Sequence, residues 1–261
     1  MYEFRTRVRY TELDEYGKLS VGSLVDLLQD TSTFQSEYLH VGCRYLQEKG
    51  LVWMVSFWQI VIDRMPDFLE EVVVGTSPYG FTPAFGLRNF VVKEPQGNYL
   101  VRANSYWVLI DRKSQKPIRI PKEEAAPYGC EPPIDMEYAP RKLQVTEELQ
   151  PLEPIVVRRH HLDTNLHVNN GQYIKIALEC LPANLEIGEL RVEYRKQALL
   201  GDCMVPYVGE SSKRYVVKLC NKEGVPYTVM AFYKRAEEEQ KERRKEHDSI
   251  GTNPGAENTS Y

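Results

Sequence analysis

The sequence predicts an α+β fold of two tandem units, each a long central helix wrapped by a curved antiparallel β-sheet. Three observations lead there. First, VRYTELDEYGKLSVGSLVDLLQD (8–30) can be laid over VRRHHLDTNLHVNNGQYIKIALE (157–179). This pairs Val8 with Val157, Arg9 with Arg158, Leu13 with Leu162, Asp14 with Asp163 and Gly22 with Gly171. Second, an apolar pattern at helical spacing follows in both: Val21, Leu24, Val25 and Leu28, then Tyr173, Ile174, Ala177 and Leu178. Third, each half closes on long alternating runs, LRNFVVK and YLVRANSYWVLID in one, YVVKLC and PYTVMAFYK in the other. PQGN and NKEG supply the hairpin turns between them.

The elements follow in the same order in each half: a short strand, the helix, then several strands. IVIDRMPDFLEEV (60–72) matches VEYRKQALLGDCM (192–204) in type, an apolar alternation, a charged pair and then a turn-like break. A single helix lying in a strongly curved antiparallel sheet is the hot-dog arrangement, in which the helix buries its apolar stripe on one sheet face. Such units pair by continuing the sheet, and a tandem copy supplies the partner within one chain. The expected organisation is a first unit at 1–121, a Pro-rich charged linker at 122–150, a second unit at 151–235 and a charged, disordered tail at 236–261. Pairing is thereby satisfied internally, so any further homodimer would use other sheet edges.

Bulk composition narrows the function. The 261 residues are 42% hydrophobic and 27% charged, ordinary for a globular chain. A net charge of −4 gives no reason to expect a nucleic-acid or membrane-surface binder. No apolar run reaches membrane-spanning length, MYEFRTRVRY lacks a signal peptide's apolar core, and five cysteines show no CxxC spacing. The expectation is a reduced, cytoplasmic protein with neither disulfide framework nor zinc site.

The chemistry-bearing stretch is HHLDTNLHVNNGQYIKIALE (160–179). If extended, alternation would put Asp163, Asn165 and His167 on one face. Asn169 and Asn170 stand where a helix takes its N-cap. The first amides of that helix, near Asn170 and Gly171, lack intrahelical acceptors and sit at the positive end of the dipole, where they can hold an oxyanion. His167 can act as base, acid or donor near neutral pH. Asp163 can fix its tautomer or orient a water, and Asn165 can bind a carbonyl or that water without changing charge. The cluster suits acyl transfer to water, although DxNxH is also how a polar turn before a capped helix reads. His160 and His161, adjacent and pointing apart in a strand, read as surface or structural residues, so no metal is expected. The first half carries Tyr16 and Lys18 where the second has Asn165 and His167. That asymmetry is what one active site in a duplicated scaffold would look like.

At these residues the sequence resembles the acyl-acyl-carrier-protein thioesterases. LDTNLHVNNGQYI is similar to that family's active-site stretch and VEYRKQALLGD to its later strand-and-turn motif; YTELDEYGKLSVGSLVDLLQD and the run from Trp53 to Trp58 also fit. The resemblance spans about residues 1–235. It implies a tandem hot-dog hydrolase that cleaves the thioester between a fatty acyl chain and its carrier's phosphopantetheine arm, with no metal or organic cofactor. It assigns the family's catalytic Asp, Asn and His to Asp163, Asn165 and His167. Plant members have a catalytic Glu followed by Cys in the later motif, where this chain has Gln197 and Ala198. Gln197 cannot take a proton. The preferred reading is therefore water attack with Asp163 or His167 as base, Asn165 and Gln197 as positioners, and Glu193 or Asp202 as substitutes. Trp53, Met54, Phe57, Trp58, Ile60 and Met65 are candidates for an acyl tunnel in the first half. Arg5, Arg7 and Arg9, with Arg158 and Arg159, could dock an acidic carrier. Competing readings are a coenzyme-A thioesterase or hydratase-type hot-dog enzyme, and a non-catalytic acyl-binding module.

Overall fold

The structure is a computed structural model that describes residues 1–235; the tail expected at 236–261 lies outside the described residues. The strands are β1 (Tyr2–Arg7), β2 (Leu51–Ile62), β3 (Glu71–Phe81), β4 (Gly86–Lys93), β5 (Tyr99–Asp111), β6 (Lys116–Ile118), β7 (Gln150–Pro151), β8 (Ile155–Val156), β9 (Ile187–Tyr194), β10 (Cys203–Glu210), β11 (Arg214–Cys220) and β12 (Pro226–Lys234). The helices are α1 (Val21–Tyr38), α2 (Cys43–Glu48), α3 (Lys122–Ala125) and α4 (Asn170–Leu178). One antiparallel sheet runs in the order β1-β3-β4-β5-β2-β9-β12-β11-β10-β7, with β6 on β5 and β8 on β10. The two halves meet where β2 pairs with β9, Phe57 opposite Glu193 and Val61 opposite Glu189.

Both predicted hairpins form: Asn98 and Glu94 close the β4–β5 turn around Gly97 at φ 105°, and Asn221 and Val225 close the β11–β12 turn around Gly224 at φ 78°. Ser20 caps α1 by accepting the Ser23 amide at 3.2 Å, satisfying one of the helix's orphan donors. The predicted apolar stripes are the buried ones: Leu24, Val25 and Leu28 on α1, and Tyr173, Ile174 and Ala177 on α4. They lie against Trp58, Ile60, Phe90, Leu190, Val192 and Phe232 from the sheet's inner face, all fully buried in one core. Fully burying each such side chain contributes about 1.5–3 kcal/mol.

The two helices also pack on each other, and glycine permits it. A Cβ at Gly22 would lie 2.6 Å from Cε of Lys175, and one at Gly171 would collide with Oδ1 of Asp26. Lys175 and Asp26 form an ion pair of 2.7 Å. Each glycine of the matched pair thus faces the residue four positions beyond its counterpart, on the other helix.

The expected linker at 122–150 is more ordered than its composition suggested. It begins with α3 and then crosses the sheet's outer face. Glu131 donates its amide to Pro78, and Ile134 donates to the Asn89 side chain at 3.2 Å. Gln59 holds both Glu137 O and the Ala139 amide, at 2.9 and 2.8 Å. Leu143, Val145 and Leu149 then pack on Val216, Val229 and Ala231. This strap explains buried polar side chains on the outward strand face: Gln59 and Asn89 satisfy its backbone groups, as buried polar atoms require.

Candidate active site

Two loops with the same hydrogen bonds lead into α1 and α4. In the second, Oδ1 of Asp163 accepts the amides of Asn165 and His167 at 2.8 and 3.1 Å, and the Asp163 amide donates to His167 O at 2.8 Å. In the first, Oδ1 of Asp14 accepts the amides of Tyr16 and Lys18, both at 3.0 Å, and the Asp14 amide donates to Lys18 O at 2.8 Å. The segment is therefore a closed turn, and the expected extended alternation of Asp163, Asn165 and His167 does not occur. Asp163 folds under the turn, because its short carboxylate can reach backbone donors two and four residues on. Its Oδ2 lies 3.5 Å from Asn165 Nδ2, which orients that amide. The His167 ring makes no hydrogen bond among the described residues and is half-buried.

Where the first loop has Gly17 at φ 77°, the second has Leu166 at φ 62°. The left-handed region costs a residue with a Cβ roughly 1–2 kcal/mol. Leu166 is 71% exposed, so no burial of its own side chain offsets that strain.

The helix entrance is capped as expected but leaves one amide fewer open than expected. Asn169 is the cap, and its Oδ1 accepts the Gly171 amide at 2.8 Å, so that amide is not available to an oxyanion. The Asn170 amide has no acceptor among the described residues. Its side chain donates to Gln29 Oε1 on α1 at 2.9 Å, and its carbonyl accepts from the Tyr194 hydroxyl at 3.0 Å. Burial raises the phenol of Tyr194 well above its ordinary range, keeping it a neutral donor.

The segment after β9 closes against this loop. Val168 donates to Ala198 O at 3.0 Å, and Ala198 donates to the Tyr173 hydroxyl at 2.8 Å. Ala198 is fully buried. Gln197 is half-buried, with Nε2 at 2.8 Å from Met54 Sδ of β2. The two substitute acids have structural partners. Asp202 Oδ2 accepts the Leu199 amide and the Tyr227 hydroxyl at 2.9 and 3.1 Å. Glu193 is buried and paired with Arg195 at 2.8 Å.

His160 and His161 do not point apart in a strand. They sit in a 3-10 turn with ring centroids 4.1 Å apart. Nδ1 of His161 accepts the Arg158 amide at 3.0 Å, which only an unprotonated Nδ1 can do. Burial, then the charges of His160 and Arg158, lower its pKa below the ordinary 6.5. A base depressed in the folded state binds protons more readily when unfolded. Stability from His161 is therefore full above about pH 6.5 and is lost as pH falls towards the folded value. Tm measured from pH 7.5 to pH 5.5 should fall more steeply in the wild type than in His161→Ala; equal slopes would rule this out.

The tunnel candidates divide. Trp53 lines a cavity between α1 and the sheet, and Met54 meets Gln197. Phe57, Trp58 and Ile60 are fully buried in the protein interior. Met65 belongs to a separate cleft of about 1050 Å³ beside the first loop. The arginine run is charge-compensated: Arg5 and Arg7 face Glu71 at 3.4 and 3.8 Å, and Arg9 pairs with Glu12. Arg158 and Arg159 are exposed beside the site with no ion pair among the described residues. Among the described residues no group of three or more His, Cys, Asp or Glu is placed to hold a metal ion, and no helix is long and apolar enough to cross a membrane.

Asp26, Gln29, Tyr173 and Tyr194 were not among the sequence-derived site residues. A signal existed for one of them: Asp26 and Lys175 stand four residues after matched glycines with opposite charges.

Fold and site define a hot-dog protein in which one of two matched helix entrances carries an asparagine and a histidine. An acyl-ACP thioesterase from Bacteroides thetaiotaomicron has the same fold, with a TM-score of 0.81 at 24% identity over 89% of this chain and 97% of its own. So does a 12:0-ACP thioesterase from Umbellularia californica, at 0.77 and 18% over 90% and 96%. The family models for the acyl-ACP thioesterase N-terminal and C-terminal domains match residues 1–128 and 145–251. The chain belongs to the acyl-ACP thioesterase family. It is 29% identical to the chloroplastic palmitoyl-acyl carrier protein thioesterase of Cuphea hookeriana across 58% of this chain. That match covers 39% of the relative, so it spans under half of the plant protein.

Proposed function

We propose that this chain hydrolyses the thioester of fatty acyl-acyl-carrier protein and releases the free fatty acid. The observation that carries the reading is the matched pair of entrance loops. Their backbone hydrogen bonds and half-buried aspartate are the same, yet one presents Asn165 and His167 and the other Tyr16 and Lys18. In this reading the chain is a tandem hot-dog duplication, with the acyl chain held by residues 1–121 and the chemistry carried by 151–235.

Water attacks the thioester carbonyl carbon while His167 takes its proton. The Asn170 amide and the Asn165 carboxamide donate to the developing oxyanion. When the intermediate collapses, the carbon–sulfur bond breaks and His167 returns the proton to the leaving sulfur. Asp163 holds the loop instead of acting as base, because its Oδ1 is engaged by two amides. Gln197, pinned through Nε2 to Met54, turns its carbonyl oxygen to the attacking water. Arg158 and Arg159 face an acidic carrier at the rim.

The test is incubation of purified protein with fatty acyl chains of several lengths, on carrier protein and on coenzyme A, with products weighed by mass spectrometry. Free acid and free thiol in equal amounts, formed faster from the carrier, are expected. A hydrated product without free acid, or thioesters that all survive, would refute the reading.

A further inference from the structure

Between α1 and the sheet of the first half lies a cavity of about 40 Å³, walled by Trp53, Phe81, Trp107 and Tyr128 and by Ser32 and Ser36. Arg88 of β4 also lines it, although its residue is only 8% exposed. Nη1 donates to Gln35 Oε1 and, at 3.1 Å, to Thr76 Oγ1. The guanidinium carbon lies 5.5 Å from the Tyr128 ring centre and 6.0 Å from that of Phe90. Among the described residues no carboxylate pairs with Arg88, and Nε and Nη2 donate to nothing. Burial lowers its pKa to about 10, which still leaves it charged at neutral pH. A buried cation without a counter-ion is costly, and its unfilled donors form the side-on edge that matches the two oxygens of a carboxylate. A water needs about 10–15 Å³ of such space, so the cavity has room for a group the size of a carboxylate.

α1 joins this cavity to the active site. Gln29 holds Asn170 at the helix entrance, and Ser32 and Ser36, on the turns that follow, line the cavity. From Gln29 to Ser36 is about 10 Å along the axis at 1.5 Å per residue, within the length of a medium acyl chain. We propose that this cavity receives the far end of the acyl chain and that Arg88 selects chains ending there in a carboxylate, the half-thioesters of dicarboxylic acids. This rests on the thioesterase reading above and names its substrate class.

The test compares kcat/KM for carrier-linked medium chains of equal length ending in a methyl group or a carboxylate. Wild-type protein should favour the carboxylate at least 10-fold. Arg88→Met should lose that preference entirely, cleaving carboxylate-ended and methyl-ended chains at equal rates or favouring the methyl end. Arg88→Lys, which keeps the charge but not the fork, should fall between and decides the matter if Arg88→Met does not fold. Cleavage with a preference for methyl-ended chains, or a carboxylate preference undiminished from wild type in either variant, overturns this inference and leaves the thioesterase reading standing. Should no thioester be cleaved at all, the thioesterase reading fails and thermal shift decides the cavity. Octanoate should raise Tm more than octanol in the wild type but not in the Arg88 variants. An equal shift in both would overturn the carboxylate site.

Discussion

His167→Ala is expected to lower kcat at least about 100-fold, the lower range for removal of a general base, with little change in Tm. The fold has no stake in the ring: the His167 backbone closes the loop, while its imidazole bonds to no described residue. Lys18→Ala is the matched control. Lys18 occupies the same place in the first loop, with the same bond to an aspartate, and its loss should leave kcat unchanged. Stopped assays of acid release on both variants, with Tm measured alongside, check the prediction. An active His167→Ala enzyme would remove the imidazole from the mechanism.

Asp163→Ala should cost both activity and stability, and Asp14→Ala stability alone. Each aspartate accepts two backbone amides, and hydrogen bonds to a charged group are worth about 1.5–3 kcal/mol. Losing the acceptor leaves both donors unpaired and frees the turn. In the second loop the turn also sets Asn165 and His167, so kcat should fall by about 100-fold or more as positioning is lost. Chemical denaturation and kinetics on the two variants separate the roles. Comparable kcat losses in both would mean that the loops are not divided into one catalytic and one structural copy.

Much of the architecture was legible because it is written in local chemistry. Helical spacing from Val21 and Tyr173, the alternating runs and the Gly97 and Gly224 turns each act within a few residues, and all appear where the sequence placed them. The matched Leu, Asp and Gly positions were visible too. Asp14 and Asp163 proved to bond their own turns, and Gly22 and Gly171 to permit the helix crossing. Spacing misled at residues 163–167, where strand alternation suggested a shared face. A left-handed residue at Leu166, which closes the turn, has no composition signal when it is not glycine. What orders the linker was not legible for a different reason: it is held by Gln59, Asn89 and Val229, all distant in sequence.

By itself, the sequence determined the order of elements, the repetition of the loop and which copy bears the imidazole, since these depend on residue identity and short spacings. Only the tertiary structure decided which amide at the helix entrance stays open, why Gln197 meets Met54 and that Arg88 is buried without a counter-ion. Those are matters of what packs against what, and packing joins residues whose separation along the chain carries no pattern.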